Sequence, residues 1–234
     1  MGISGCVCLS VDKNALVSSL HCARKSLTAM GGSSRNHAID QIKWITVKDK
    51  FGNDLEVMYA NGPTSTVQAK VEAHSAYRNA AAEATVSGGE KTQYMTDGLL
   101  SHYQNANGEF VKYIPETAIS ETTTFGFNFE EAKTLRAIMV YNSRQAEVCF
   151  HNISRIELDC MVDGELVTMY IDSIAFSEEN YQANIYDGQY YYVTPCTAAY
   201  AVFDELEVVS VRITIEVPQG QKTAQISEIK LMGK

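Results

Sequence analysis

Val208-Val209-Ser210-Val211-Arg212-Ile213-Thr214-Ile215-Glu216-Val217 is the stretch that decides the fold class. From Val209 onward its odd positions are apolar and its even positions polar, the period of two required of a strand with one buried face. The same texture recurs upstream at Val67 to Ala73, Phe110 to Ile114, Thr123 to Phe129, Leu135 to Tyr141, Ile153 to Met161, Glu165 to Ile171, Tyr190 to Val193 and Ala199 to Phe203. Turn residues punctuate these runs. Many short strands with few helical windows predict an all-β, antiparallel jelly-roll sandwich rather than helices layered on a parallel sheet.

The first quarter of the chain reads differently. Val11, Ala15, Leu16, Leu20, Ala23, Leu27 and Met30 fall near helical spacing, which predicts a helix stopped by Gly31-Gly32-Ser33-Ser34. The period then changes. Ile42, Trp44, Thr46 and Lys48 alternate with Lys43, Ile45, Val47 and Asp49, and Phe51-Gly52-Asn53-Asp54 supplies a turn before Leu55 to Tyr59. That pattern predicts a β-hairpin. The expected organisation is an N-terminal extension over residues 1–40, helical in part, and a sandwich over 41–234 to which the hairpin of 41–62 is added.

Composition narrows the function classes. The 234 residues are 45% hydrophobic and 20% charged, ordinary for a folded globular chain, and the formal net charge is −9. A negative surface repels phosphate backbones and anionic lipid, so neither nucleic acid nor membrane insertion is expected. No apolar run approaches the roughly eighteen residues of a spanning helix. No basic segment precedes the apolar start at Ile3, Cys6, Val7, Cys8 and Leu9, so no signal peptide is read there. Of the six cysteines, only Cys6 and Cys8 with His21 and Cys22 come near zinc-ligand spacing, while Cys149 and Cys160 sit in apolar surroundings as small core residues.

Three pieces, in order, resemble the F5/8 type C (discoidin, galactose-binding-like) family, which includes bacterial carbohydrate-binding modules. Ala73-His74-Ser75-Ala76-Tyr77-Arg78-Asn79 followed by Met95-Thr96-Asp97-Gly98 looks like its opening strand, small-residue turn and Asp-Gly loop. Thr124 to Phe129 with Leu135 to Ser143 is similar to its central strands, and Val211 to Val217 with Ile226 to Gly233 to its closing ones. The likeness spans roughly Val67 to Lys234. One departure stands out: the family commonly places a tryptophan soon after the Asp-Gly loop, whereas the single tryptophan here is Trp44 and the loop carries His102 and Tyr103.

The resemblance implies a structural calcium ion tying the Asp-Gly loop to the final strand, with Asp97, Ser101 and Glu228 at the matching positions. Calcium takes six to eight oxygens in flexible geometry, which a carbonyl-rich loop with two carboxylates can supply. The competing reading is that Asp97 caps its own turn and Glu228 is a solvated edge position. Sugar recognition needs an aromatic ring for C–H stacking and planar polar groups for hydroxyls. Candidates are His102, Tyr103 and Asn105 after the loop, Asn142 and Arg144 beyond the central strand, and Tyr181, Asn184 and Tyr186 further on. For any single tyrosine a structural role competes, because tyrosine is favoured in strands.

Catalytic motifs are not evident. Glu130-Glu131 and Glu178-Glu179 are adjacent pairs that point apart rather than flanking a substrate, and the five histidines are scattered. The expectation is a noncatalytic carbohydrate-binding module of a larger extracellular bacterial protein, with a glycan and neighbouring domains as partners. The alternatives are a ligand-free spacer or protein-interaction domain of the same fold, and part of a glycoside-hydrolase catalytic unit.

Overall fold

The computed structural model describes residues 6–8, 18–27, 33–49, 51–61, 76–100, 115–143, 145–150, 152–171, 182–183, 190–191 and 198–234. The strands in chain order are β1 (Cys6–Cys8), β2 (Ser18–Leu27), β3 (Ser33–Lys48), β4 (Asp54–Asn61), β5 (Arg78–Asn79), β6 (Thr85–Ser87), β7 (Thr117–Ile119) and β8 (Thr123–Asn142). They continue with β9 (Asn152–Val162), β10 (Glu165–Tyr170), β11 (Gln182–Ala183), β12 (Tyr190–Tyr191), β13 (Ala198–Glu216) and β14 (Ala224–Gly233). The named strand pairings are all antiparallel. The chain is an all-β protein, as the alternation predicts.

β1–β4 form a four-stranded sheet of their own. This corrects the expected helix: Ser18–Leu27 is a strand that pairs along its whole length with Ser33–Ile42. Leu20, Ala23 and Leu27 fit a helical stripe, but Ser, His and Cys are indifferent helix formers, and a ten-residue ladder satisfies the backbone at no propensity cost. The hairpin over β3 and β4 forms as read, with Lys48 facing Asp54 across the turn and bridging to it at 2.6 Å. Asp49 organises that turn by accepting from the Phe51 and Asn53 amides at 2.8 and 2.9 Å. The hairpin belongs to this sheet, and β3 runs unbroken through residues 40 and 41, so the division placed there falls inside a strand.

The remaining large sheet is held together by two long strands. β8 and β13 pair with one another in three registers, separated by irregularities between Val202 and Leu206 and between Val208 and Ser210. Each does the work of two of the short strands read from sequence. The first half of β8 pairs β6 on its other edge, while its second half pairs β14; β13 likewise pairs β9 only with its second half. One layer is therefore β10-β9-β13-β8-β6, and the facing layer is β13-β8-β14 with β5 and β7 on the far edge of β14. Phe125, Phe127, Ile156, Leu158, Ile213 and Ile215 of the first layer meet Ile138, Val140, Ile226, Ile229 and Leu231 of the second in one buried cluster. That is a sandwich core.

A second, smaller cluster lies on the outer face of the second layer, where Met139, Tyr141, Ala198 and Met232 pack with Leu100. β14 is thus buried on both faces, which explains why its pattern is nearly continuous rather than alternating. Cys149 and Cys160 are buried free thiols, in keeping with small core residues. Burial, followed by the charges of Glu116 and Glu147, pushes the Cys149 thiol up to about 12. No helix among the described residues is long and apolar enough to cross a membrane.

Candidate functional site

The Asp-Gly loop lies against the last strand, as the resemblance implied. Gly98 takes a left-handed φ of 72°, a conformation that glycine enters without a Cβ penalty, and its N–H donates to Glu228 Oε2 at 3.0 Å. Asn79 Nδ2 donates to the other carboxylate oxygen at 3.3 Å. Asn79 is itself fixed, since its Oδ1 accepts from the Ala81 and Leu231 amides at 3.1 and 3.0 Å. Glu228 is therefore no solvated edge residue: it is 0% exposed and joins three chain segments.

Asp97 is exposed, and its Oδ1 accepts from the Leu99 amide at 2.8 Å, the local cap that the competing reading anticipated. Asp97 and Glu228 together place two carboxylates beside one glycine loop, the oxygen chemistry calcium takes. Among the described residues no group of three or more His, Cys, Asp or Glu could hold a metal ion, so a cation at this loop would draw most of its ligands from backbone carbonyls. Ser101 lies outside the described residues.

Tyr141 sits directly under this junction. It faces Glu228 on one side and Ala198 on the other across neighbouring strands, is 0% exposed, and has the Lys230 ammonium 5.0 Å from its ring centroid. Burial first, and the Glu228 charge second, raise its phenol far above the ordinary range, so it stays protonated. At the other end of the same face, Tyr77 donates to Glu205, which also bridges Lys234 at 2.9 Å, and Arg136 lies 5.7 Å from the Tyr77 ring centroid.

Asn142 is a correction. Expected at the sugar-facing rim, it is 0% exposed and fully committed to the backbone. Its Nδ2 donates to Phe150 O at 2.7 Å, and its Oδ1 accepts from the Ser143 and Phe150 amides at 3.0 and 2.9 Å. It clamps the loop between β8 and β9. Next to it, Ser143 Oγ donates to Glu116 Oε2 at 2.6 Å, fixing the segment that follows residues 101–114 to the root of the Asn142 loop. His102, Tyr103, Asn105, Arg144, Tyr181, Asn184 and Tyr186 lie outside the described residues.

What the structure does place are the points from which those candidate loops leave the sandwich. Leu100 precedes residues 101–114, and Tyr141 and Ser143 precede Arg144; Leu100 and Tyr141 share one buried cluster, to which Ala198 at the start of β13 also belongs. Sequence reasoning missed Asn79, Tyr141 and Lys230. The one available signal was the charged Glu228 in a last strand that also carries Ile226, Ile229 and Leu231.

No family model and no curated protein matches the chain. Solved structures similar to it include the F5/8 type C domain of a Bacteroides fragilis protein, at 13% identity over 64% of this chain and 91% of that one, TM-score 0.37. Another is the family 32 carbohydrate-binding module of C. perfringens NanJ in complex with galactose, at 16% identity over 67% and 98%, TM-score 0.38. A two-domain protein of unknown function from Bacteroides fragilis is similar over 93% of this chain and 59% of its own length, at 11% identity and TM-score 0.40.

Proposed function

We propose that this chain is a noncatalytic carbohydrate-binding domain that takes a glycan at one rim of its sandwich, and that it serves a larger extracellular protein by holding neighbouring domains near their target. One observation carries the reading: the roots of two candidate loops converge, with Leu100 and Tyr141 in a single buried cluster and Glu116 tied to Ser143. Converging loops on a rigid sheet are the usual means of assembling a binding rim from residues distant in sequence. The acids nearest that rim are engaged in structure, Glu228 with Gly98 and Asn79, Asp97 with Leu99 and Glu116 with Ser143, which suits binding better than acid–base work.

A glycan array, read with multivalent display because a single site of this kind binds weakly, tests the proposal. Reproducible hits that disappear in Arg144→Ala are expected. An array without hits would move the assignment to a protein-interaction domain.

Calcium belongs to the same proposal, with Asp97, Ser101 and Glu228 as side-chain contributors around the Gly98 turn. A cation at 100 times its dissociation constant stabilises by about 2.7 kcal/mol, which is about 5–11 °C for a domain of this size. Excess chelator should lower the melting temperature by that amount and calcium should restore it. An unchanged melt removes the metal from the proposal and leaves the rim intact.

A further inference from the structure

We propose that β10 is a self-association edge through which two copies of this chain join their sandwiches by antiparallel β10–β10 pairing about a two-fold axis. β10 is the terminal strand of its layer: one edge pairs β9 without a register break, and among the described residues no strand pairs the other. All six of its residues are exposed, with Leu166 at 63%, Val167 at 41%, Met169 at 38% and Tyr170 at 55%. Natural edge strands are blunted by lysine, proline or a bulge, and Glu165-Leu166-Val167-Thr168-Met169-Tyr170 carries none of these.

The backbone fixes which groups the free edge presents. The Ile171 amide donates to Ile156 O at 3.1 Å, so odd-numbered positions of β10 bond to β9. Antiparallel ladders alternate, which leaves the N–H and C=O groups of Leu166, Thr168 and Tyr170 directed away from the sheet. A second copy must therefore pair even positions with even ones. With Thr168 on the two-fold axis, Leu166 of one copy faces Tyr170 of the other and Val167 faces Met169, so every exposed apolar side chain of the strand gains an apolar partner. No acid faces an acid, because Glu165 meets Ile171.

Neighbouring registers lose this match. Centring on Val167 puts Leu166 opposite Thr168 and Glu165 opposite Met169, and centring on Met169 leaves Leu166 outside the six-residue ladder. The chosen register makes roughly six inter-chain hydrogen bonds, two for each facing pair. It also extends the core layer, since Val167 and Met169 stand beside Cys160 and Leu158, both 0% exposed. The partner that fits this edge is a second copy because the edge is complementary to itself.

Sedimentation velocity over roughly 5–500 µM on the full chain is the test, with hydrogen exchange as the local readout. A concentration-dependent dimer is expected, with the Leu166, Thr168 and Tyr170 amides protected as it forms. Leu166→Lys should weaken it about tenfold or more without changing the melting temperature of dilute protein. The register makes a sharper demand: Leu166→Lys combined with Tyr170→Glu should restore the dimer and make it salt-sensitive, whereas Leu166→Lys with Met169→Glu should not. A chain monomeric throughout, or a dimer indifferent to Leu166→Lys, overturns the proposal. Equal rescue by both double variants overturns the register and with it the argument for a two-fold pair.

Discussion

Removing the Glu228 carboxylate is the perturbation that most directly tests how the Asp-Gly loop is held. Its two oxygens accept from Gly98 N at 3.0 Å and Asn79 Nδ2 at 3.3 Å, and Glu228 itself has no exposure while the two donors are half-buried. Glu228→Ala leaves both donors facing a void, and a buried donor without an acceptor costs about 1–3 kcal/mol. The sum is about 2–6 kcal/mol, less whatever is recovered by no longer burying a charge. At about 2–4 °C per kcal/mol for a domain of this size, the melting temperature should fall by about 5–15 °C. Glu228→Gln keeps the volume and one acceptor but turns an amide toward the other donor, so its loss should be smaller. Asp97→Ala removes an exposed cap and should cost about 0.5–1 kcal/mol. Urea and thermal melts followed by circular dichroism, in chelator so that a cation plays no part, give the order. If Glu228→Ala melts with the wild type, or Asp97→Ala costs as much, then the carboxylate does not anchor the loop.

Asn142→Ala should destabilise by about 3–5 kcal/mol, because three backbone groups of the β8–β9 loop lose their partner together; a urea midpoint close to wild type would show that the clamp is dispensable. The Arg212 guanidinium, which donates to Asp159 Oδ1 at 3.0 Å, together with the Ser210 and Thr168 hydroxyls, holds the Asp159 carboxyl well below the usual carboxylate range. A lowered folded-state pKa means stability that is present above the unfolded value near 3.9 and is lost as pH falls toward the folded one. Urea midpoints measured from pH 5 to 2 should therefore drop more steeply for wild type than for Arg212→Met, and parallel profiles would count against the pairing.

Much of the sandwich was legible because its strands carry their burial in their own spacing. Val211, Ile213 and Ile215 are all 0% exposed, as the alternation from Val209 demands, and β9 and β10 fall where their runs were read. The lengths of β8 and β13 were not legible. Glu130-Glu131 and Asp204-Glu205 look like loop residues, yet they lie inside strands at places where the pairing shifts register and the side chains turn outward. The supposed helix failed for a related reason, since a ten-residue stripe cannot announce the partner strand that will claim its backbone. At the site, Glu228 could be placed from the final strand, whereas Asn79 and Asn142 could not. Nothing in a local pattern distinguishes an asparagine that faces a ligand from one that holds a loop by its main chain.

The phase of the apolar pattern changes within β8, where Phe125, Phe127 and Leu135 face the core but so do Ile138 and Val140. Odd positions give way to even ones near residues 136–137, opposite the irregularity in β13. Two ribbons therefore serve as hinges common to both layers, and neither layer has a hydrogen-bonded edge at which the other could detach. Inserting or deleting one residue there would turn the following half of the ribbon inside out, presenting Met139 and Tyr141 to the core and Ile138 and Val140 to the outer face. The crease that lets one ribbon belong to two sheets is thus also the place where the reading frame of the interior is set.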